Sequence, residues 1–270
     1  MREKLTIIKV GGAVVEDEAQ LTQLLKDFSA IPGKKVLVHG GGRKATQVAS
    51  QLGIESKMVN GRRITDKEML QVVTMVYGGL VNKNLVAQLQ AHGVNAMGLT
   101  GADINTIRSH QRPPVKMNIT AEDGTSVSQT IDFGFVGDVD SVNGKMLSTL
   151  IHEGITPVMA PLTHDQQGHI LNTNADTIAG ETAKALAPFF DVTLIFSFEK
   201  KGVLSNPDDE ESVIPVIHLN DFKRYVADGT VVGGMIPKLD NAFKAIEAGV
   251  KKVIITQATA IDGEHGTVIQ

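Results

Sequence analysis

Two lysines occur where their charge is expected to need a negatively charged partner. Lys9 lies near the end of an apolar run of Leu, Ile and Val that predicts a β-strand, Leu5–Val10. A central parallel strand is buried on both faces, so a lysine there requires an anion, whereas a lysine on an edge strand can extend to water. Lys238 follows Pro237 in the first turn of a predicted helix, where its charge opposes the helix dipole. A bound anion would remove both conflicts, although a solvated lysine also explains position 238.

Two glycine turns follow predicted strands and are suited to binding an anion. Gly11–Gly12 ends the first strand, and Gly40–Gly42 ends a second strand, Lys35–Val38. Ligands bind at the carboxyl ends of parallel strands, where a glycine turn exposes backbone N–H groups and permits close approach. The helix after each turn adds its positive end, which favours phosphate. Either turn alone could be a tight strand-to-helix connection, but the pair favours a function in binding.

Asp176 and two adjacent arginines are further candidates. Asp176 follows Asn172–Asn174 at a predicted helix start, where an acidic residue in the first turn stabilises the helix without any other function. Arg62 and Arg63 are expected to point in different directions, so that one of them could bind a carboxylate through two hydrogen bonds. The spacing of the eight histidines predicts no metal site.

Two common nucleotide-binding motifs do not account for the glycines. Gly40-x-Gly42-x-x-Ala45 loosely matches the dinucleotide-binding pattern, which requires an acidic residue about 20 residues further on. That region instead reads "KMVNGRRIT" and is basic. The Gly-Lys-Ser/Thr sequence that marks a P-loop does not occur. A dinucleotide-dependent oxidoreductase is therefore the less favoured alternative.

The elements that must position these residues are strands and helices that alternate along the chain. This alternation predicts a parallel sheet with helices on both faces. The predicted helices are Asp17–Ala30, one that ends near Leu52, two within Asp66–His92, Asn143–Glu153, Ala175–Ala187 and Pro237–Ala248. The further predicted strands are Val94–Leu99, Ile155–Met159, Val192–Phe196 and Lys252–Ile255. Thr65 and Glu68 predict a capping box, and Asp123-Gly124 predicts the turn of a β-hairpin.

Composition limits the classes of function. The chain has 270 residues, 42% of them hydrophobic, and a formal net charge of −4, so neither nucleic acid nor an anionic membrane is favoured as a partner. It has no cysteine, which excludes disulfides and thiolate chemistry. The first residues, "MREKLTIIKVGG", are not typical of a signal peptide, so we expect a cytoplasmic protein.

Six motifs in a fixed order resemble the amino acid kinase family, and within it the members that phosphorylate an acylated glutamate. They are "IKVGGAV", "VHGGGRKA", "NGRRIT", "VNKNLV", "NTNAD" and "VGGMIPKLDNA", which span Leu5 to Ala242. The resemblance implies an α/β fold with an open, mostly parallel sheet of about eight strands sandwiched by helices, and with an inserted β-hairpin. It also implies one domain over residues 1–270. Residues 1–165 would bind the acylglutamate and form a homodimer, and residues 166–270 would bind ATP.

The resemblance implies that ATP, as its Mg²⁺ complex, donates its γ-phosphoryl group to the γ-carboxylate of N-acetylglutamate, in arginine biosynthesis. No metal is expected to be bound by the protein itself. One alternative substrate is N-succinylglutamate, whose extra carboxylate could meet Arg62, Arg112 or Lys116. Two further alternatives are a kinase of the same family that acts on another substrate and a non-catalytic relative. The first strand begins near Leu5, without the extra N-terminal helix of arginine-inhibited relatives, so we expect a homodimer that is insensitive to arginine.

Site residues follow from the resemblance position by position. The catalytic residues implied are Lys9, Lys238 and Asp176, which orients both lysines. The substrate-binding residues implied are Gly41, Gly42, Arg63 and Asn172. The phosphate- and nucleotide-binding residues implied are Gly11, Gly12, Glu199, Gly202, Gly234 and Met235. The chain departs from the family in three places: Glu199 replaces an aspartate, "GLTGADINT" lacks a Lys-Asp-Gly run, and the C-terminal segment is short where a helix is usual.

Overall fold

The protein, seen in a computed structural model that describes residues 2–120, 126–233 and 235–270, alternates between strands and helices as expected. Its strands are β1 (Lys4–Val10), β2 (Lys34–His39), β3 (Met58–Val59), β4 (Arg62–Arg63), β5 (Ala96–Leu99), β6 (Ile107–Gln111), β7 (Val115–Thr120), β8 (Ser126–Ile131), β9 (Gly137–Val142), β10 (Thr156–Met159), β11 (Leu162–His164), β12 (Ile170–Asn172), β13 (Asp191–Phe198), β14 (Val216–Ile217), β15 (Lys252–Gln257) and β16 (Thr267–Ile269). Its α-helices are α1 (Gly12–Glu16), α2 (Glu18–Ala30), α3 (Gly42–Gln51), α4 (Lys67–Val73), α5 (Asn82–Ala91), α6 (Gly144–His152), α7 (Ala175–Leu186), α8 (Leu219–Ala227) and α9 (Met235–Glu247).

Eight strands form the main sheet, in the order β14-β16-β15-β13-β1-β2-β10-β5. Every neighbouring pair is parallel except β15 and β16. The predicted fold class, an open and mostly parallel sheet of about eight strands, is therefore confirmed. Since β1 lies between β13 and β2, Lys9 is on a central strand, and the alternative of an edge strand is wrong.

Each face of this sheet packs against its own layer of helices. On one face, Leu5 and Ile7 of β1 join an apolar cluster with residues of α6, α7 and α9. On the other face, Ile8 and Val10 join a cluster with residues of α2, α3, α4 and α5. Side chains alternate between the two faces along a strand, so Lys9 shares the face of Ile7 and is directed towards α7.

A smaller sheet and a hairpin accompany the main sheet. The strand order of the smaller sheet is β12-β11-β6-β9. The strands β7 and β8 pair antiparallel, which confirms the two arms of the predicted hairpin, while its turn at Asp123-Gly124 lies outside the described residues. The hairpin contacts the β3–β4 pair, because Asn60 Nδ2 donates to Asn118 O at 3.1 Å.

The segment 66–92 differs from the prediction of two separate helices. It is one continuous helical run in which a π-helical stretch, Thr74–Val81, joins α4 to α5. Asp66 caps α4, since its side chain accepts a hydrogen bond from Met69 N at 2.8 Å. The predicted capping box of Thr65 and Glu68 is therefore wrong: Thr65 is buried and accepts a hydrogen bond from elsewhere in the chain.

Short elements near the C-terminus were not predicted. The strand β16 adds antiparallel to β15, and the two-residue strand β14 lies at the edge beyond it. The helix α8 precedes α9 and has no fully buried residue. Across the described ranges, none of the helices combines the length and the apolar character that a bilayer span needs.

Candidate active site

Asp176 lies between the two lysines that the sequence singles out. Lys9 Nζ, from β1, is 2.7 Å from Asp176 Oδ1. Lys238 Nζ, from the first turn of α9, is 3.3 Å from Asp176 Oδ2. The side chains of Lys9 and Lys238 are 12% and 13% exposed, so both ammonium groups are largely shielded from water. Each oxygen of one carboxylate is thus paired with a different lysine.

The start of α7 positions this aspartate. Asn174, not Asp176, caps the helix: its Oδ1 accepts hydrogen bonds from Asp176 N at 2.8 Å and from Thr177 N at 3.2 Å. Asn174 thereby satisfies the first free N–H groups of the helix, which an N-cap side chain normally does. The Asp176 carboxylate is therefore available to the two lysines.

The charges in this cluster sum to about +1, and burial opposes the charges of Asp176 and Lys238. Burial raises the pKa of Asp176, but the nearby ammonium groups of Lys9 and Lys238 outweigh it and hold that pKa below 3.8. Burial also lowers the pKa of Lys238 from 10.5, and Lys9 lowers it further, while Asp176 raises it. The Lys238 ammonium lies 5.6 and 5.5 Å from the ring centroids of Phe196 and Phe198. A partly buried cluster with an excess positive charge attracts an anion.

The two glycine turns lie against one another at the same edge of the sheet. Gly40 N donates to Val10 O at 3.0 Å. A Cβ at Gly40 would lie 3.1 Å from Gly12 N, and one at Gly12 would lie 3.4 Å from Gly41 N. A side chain at either position would therefore crowd the other turn, whereas glycine lets the two turns lie close together. No side chain caps α1 after Gly11 or α3 after Gly41, so among the described residues these helix starts lack a side-chain acceptor.

The two adjacent arginines point in different directions, as expected. Arg62 is exposed, whereas Arg63 is half-buried. Arg63 Nη2 donates to Gly42 O at 2.8 Å and to Thr46 Oγ1 at 2.9 Å, and Nη1 contacts Ser56 Oγ. These contacts place the Arg63 guanidinium beside the first turn of α3.

Asn172, at the end of β12, is linked to the arginine-bearing segment. Its Nδ2 donates to Thr65 Oγ1 at 2.9 Å, and its backbone N donates to Phe135 O, also at 2.9 Å. Its carboxamide oxygen makes no hydrogen bond within the part of the chain that the structure describes. That oxygen is therefore available to a ligand.

The residues that the resemblance implies for nucleotide binding do not form one cluster with Asp176. Glu199 is exposed and pairs with Arg43 at 3.1 Å. Gly202 is required by packing, since a Cβ there would lie 2.7 Å from Val213 Cγ1. Met235 begins α9 and packs against the apolar cluster on the α7 face. Gly234 lies outside the described residues. None of these contacts joins the cluster around Asp176.

A buried histidine behind the second glycine turn was missed by the sequence analysis. His39 ends β2 and is fully buried; its Nδ1 lies 2.8 Å from Gly40 O, and its Nε2 lies 3.1 Å from Asn82 Nδ2. Asn82 Nδ2 also donates to Val158 O at 2.9 Å. An amide nitrogen only donates, so Nε2 accepts and Nδ1 donates to Gly40. The available signal was a histidine directly before three glycines at a strand end.

No metal centre accompanies the cluster in residues 2–120, 126–233 and 235–270, where no three histidine or acidic side chains group as metal ligands do. Both oxygens of Asp176 are already paired with lysines. The donor set therefore fits an incoming anion.

A parallel α/β sheet with two glycine turns beside a doubly paired aspartate is the arrangement expected of a phosphate-binding protein. A sequence profile of the amino acid kinase family matches residues 4–257. The chain belongs to this family, which confirms the resemblance described above.

Individual relatives agree with this assignment. An acetylglutamate kinase of Bacteroides thetaiotaomicron is 65% identical over 270 residues, which cover 100% of both chains. An acetylglutamate kinase of Bacteroides fragilis is 64% identical and covers 100% of this chain and 98% of its own length. Among solved structures, smu.665 from Streptococcus mutans UA159 has a TM-score of 0.75 and 28% identity, with 98% of each chain covered.

The buried His39 predicts a pH-dependent stability. Burial lowers its pKa from 6.5 to about 4, so the unfolded chain binds more protons than the folded chain between these pH values. The stability that depends on the neutral ring is complete above pH 6.5 and is lost as the pH falls to about 4. We expect this loss to be about 3 kcal/mol in the free energy of unfolding.

Urea unfolding at several pH values between about 7 and about 4 measures this loss. His39→Asn should remove most of the extra pH dependence, while the same substitution at the exposed His92 should leave it unchanged. Equal pH dependence in the parent and in His39→Asn would contradict the prediction.

Proposed function

We propose that this chain catalyses transfer of the γ-phosphoryl group of ATP to the γ-carboxylate of N-acetylglutamate, a step of arginine biosynthesis. The observation that carries the proposal is the Lys9–Asp176–Lys238 cluster at the carboxyl end of the central strands. Relatives of 64 and 65% identity over the whole chain are acetylglutamate kinases. The chain is accordingly a kinase with a carboxylate acceptor.

The chemistry requires charge stabilisation rather than a general base. A carboxylate with a pKa near 4.3 is already ionised at neutral pH, so no proton has to be removed before it attacks phosphorus. The barrier comes from the repulsion between two anions and from charge on the moving phosphoryl group. Positioned cations and N–H groups lower such a barrier. Lys9 and Lys238 supply the cations, and the two glycine turns supply the N–H groups.

Asp176 holds the two ammonium groups apart and in place. Without a carboxylate between them, two partly buried lysines would repel one another. One negative charge between two positive charges leaves a net attraction for the phosphoryl group. Asp176 is therefore a positioning residue that acts through Lys9 and Lys238.

Residues 1–165 provide most of the acylglutamate site in this proposal, and residues 166–270 bind ATP and contribute Asn172 to the acylglutamate site. The N–H groups of Gly41 and Gly42 face the substrate, and the Arg63 guanidinium binds its carboxylate. The carboxamide oxygen of Asn172 accepts a hydrogen bond from the amide N–H of the substrate. Support comes from the Arg63–Gly42 contact and from the Asn172–Thr65 hydrogen bond, which orients the carboxamide.

ATP enters as its Mg²⁺ complex, in which the metal neutralises charge on the phosphates. The first glycine turn, Gly11 and Gly12, lies towards the phosphates, together with Lys238. Glu199, Gly202, Gly234 and Met235 lie in the segments that hold the nucleoside. The ion pair of Glu199 with Arg43 is weak, because both side chains are more than 60% exposed, so it would not prevent a nucleotide from binding there.

N-Succinylglutamate is a second candidate substrate, favoured by one observation. Arg62 and Lys116 are exposed. Arg62 lies on β4 of the β3–β4 pair and Lys116 lies on β7 of the hairpin, and these two pairs of strands contact one another through Asn60. Either could meet the extra carboxylate of a succinyl group. Arg112 is less suitable, since it already binds Asp138 with a contact of 2.5 Å.

A homodimer and a cytoplasmic location remain predictions. The exposed face of α4 and the following π-helical stretch, with Leu70 and Met75, line an open cavity of about 540 Å³ together with Phe135 and Ile170. This apolar face is where we place the dimer contact.

Light scattering should give twice the chain mass; a monomer, or a larger assembly with inhibition by arginine, would contradict the proposal.

Substitutions in the charged cluster test the mechanism. Lys9→Ala and Lys238→Ala should each lower kcat by about 100- to 1000-fold, because each removes a charge used in the transition state. Asp176→Asn should also lower kcat, since it keeps the shape but not the charge that holds the lysines. KM for the acylglutamate should change by less than about threefold in each variant.

Lys26→Ala, which removes an exposed lysine of α2, is the matched control and should keep normal kinetics. Steady-state assays with both substrates varied provide the measurement. Near-normal kcat in Lys9→Ala or Lys238→Ala would exclude the stabilising role of that lysine.

ATP-dependent formation of an acyl phosphate tests the activity itself. Hydroxylamine traps the product as a hydroxamate, and N-acetylglutamate and N-succinylglutamate are supplied in parallel, with free glutamate and aspartate as controls. We expect turnover of an acylglutamate and none of the free amino acids, because the relatives of 64 and 65% identity are acetylglutamate kinases. Turnover of neither acylglutamate would reject the proposed function.

A further inference from the structure

Tyr77 is placed beside the second glycine turn by an unusual stretch of helix. It lies in the π-helical segment Thr74–Val81, whose wider turns change which side chains face inward. Met75 and Leu80 of this segment are 54% and 45% exposed, whereas Tyr77 is 5% exposed. Such π-helical insertions are frequent at functional sites. The segment thus directs a tyrosine, with its hydroxyl, towards the site.

The ring of Tyr77 packs directly against Gly41. A Cβ at Gly41 would lie 3.0 Å from Tyr77 Cδ1 and 3.2 Å from Cε1. A side chain at position 41 would crowd the ring, so the ring and the glycine turn are in direct contact. The tyrosine is therefore fixed relative to the N–H groups that face the substrate.

The hydroxyl of Tyr77 converges with Arg63 over the first residue of α3. The Cβ position of Gly42 lies 4.0 Å from Tyr77 Oη and 3.8 Å from Arg63 Nη2. Burial raises the pKa of Tyr77 above 10, although the positive charge of Arg63 and a hydrogen bond from its side chain lower it in part. The phenol consequently keeps its proton at neutral pH and is able to donate a hydrogen bond.

This proton lacks an acceptor in the part of the chain that the structure describes. Arg63, the charged neighbour of the phenol, carries donors only, so it cannot accept from Tyr77. Arg63 donates a hydrogen bond to the phenol oxygen, and its nitrogens also donate to Gly42 O, Thr46 Oγ1 and Ser56 Oγ. A guanidinium and a phenol that point to one place suit an anion with two oxygens.

We propose that Tyr77 Oη donates a hydrogen bond to the substrate carboxylate that Arg63 binds. Tyr77 is then a substrate-binding residue in addition to Gly41, Gly42, Arg63 and Asn172. The inference rests on the proposed function and assigns one further contact to the acylglutamate. Since the contact forms with the bound substrate as well as in the transition state, it contributes to substrate affinity rather than to the chemical step.

Tyr77→Phe isolates the hydroxyl, because the ring that packs on Gly41 is kept. KM for the acylglutamate should rise about 10-fold, the effect of removing one hydrogen bond to a charged group. The kcat value and KM for ATP should stay within about twofold. Calorimetric titration of the acylglutamate without ATP should show the same loss of affinity, and thermal unfolding of Tyr77→Phe verifies that the variant is folded.

Tyr225→Phe is the matched control, since Tyr225 is the second of two tyrosines and lies on α8 beside Arg224. It should leave all constants unchanged. Unchanged KM in Tyr77→Phe, or an equal rise in KM for both substrates, would overturn the assignment and indicate a packing role. If the parent enzyme turns over neither acylglutamate, the proposed function itself fails and the inference fails with it.

Discussion

The burial of two positive charges beside one negative charge is the constraint on which the rest of the structure depends. Lys9 is on a central strand, so its ammonium group can reach a partner only across the face of the sheet that α7 covers. The partner must stand at the first turn of α7, and Asn174 frees Asp176 for this purpose by capping the helix itself. The first turn of α9 then brings Lys238 to the second oxygen. Three elements from distant parts of the chain are thereby tied to one carboxylate.

Close approach of backbones is the second constraint, and it explains the glycines. The turns after β1 and β2 are adjacent because the two strands are adjacent, with Val10 opposite His39. A side chain at position 40 would crowd Gly12, and one at position 41 would crowd the ring of Tyr77, so glycine favours both close contacts. His39 and Asn82 hold the second turn from behind through neutral hydrogen bonds. A charged cluster and a rigid pair of N–H turns therefore meet at one edge of the sheet.

Much of this architecture could be predicted from sequence, and the exceptions have physical reasons. A lysine in an apolar strand indicates that an anion lies nearby. The ends of long periodic helices such as α2 and α7 were predicted to within one residue. The identity of the anion could not be derived from spacing, because Asp176 is 167 residues from Lys9 and only the fold, or a family resemblance, joins them. Tyr77 was missed because an apolar helical run does not distinguish π- from α-helical turns. The strands β14 and β16 are too short to show periodicity.

The strand order has a consequence for how the chain folds as it is synthesised. The first strand, β1, pairs in register with β13, so that Lys4 lies opposite Asp191. At about 5–20 residues per second, a ribosome needs roughly 10–40 s to make β13 after β1 has emerged. During that interval one edge of an apolar strand, already carrying Lys9, has no neighbour on the β13 side. Folding that depends on such distant pairing is slow, and the edge of β1 stays unpaired on this side until β13 has been made.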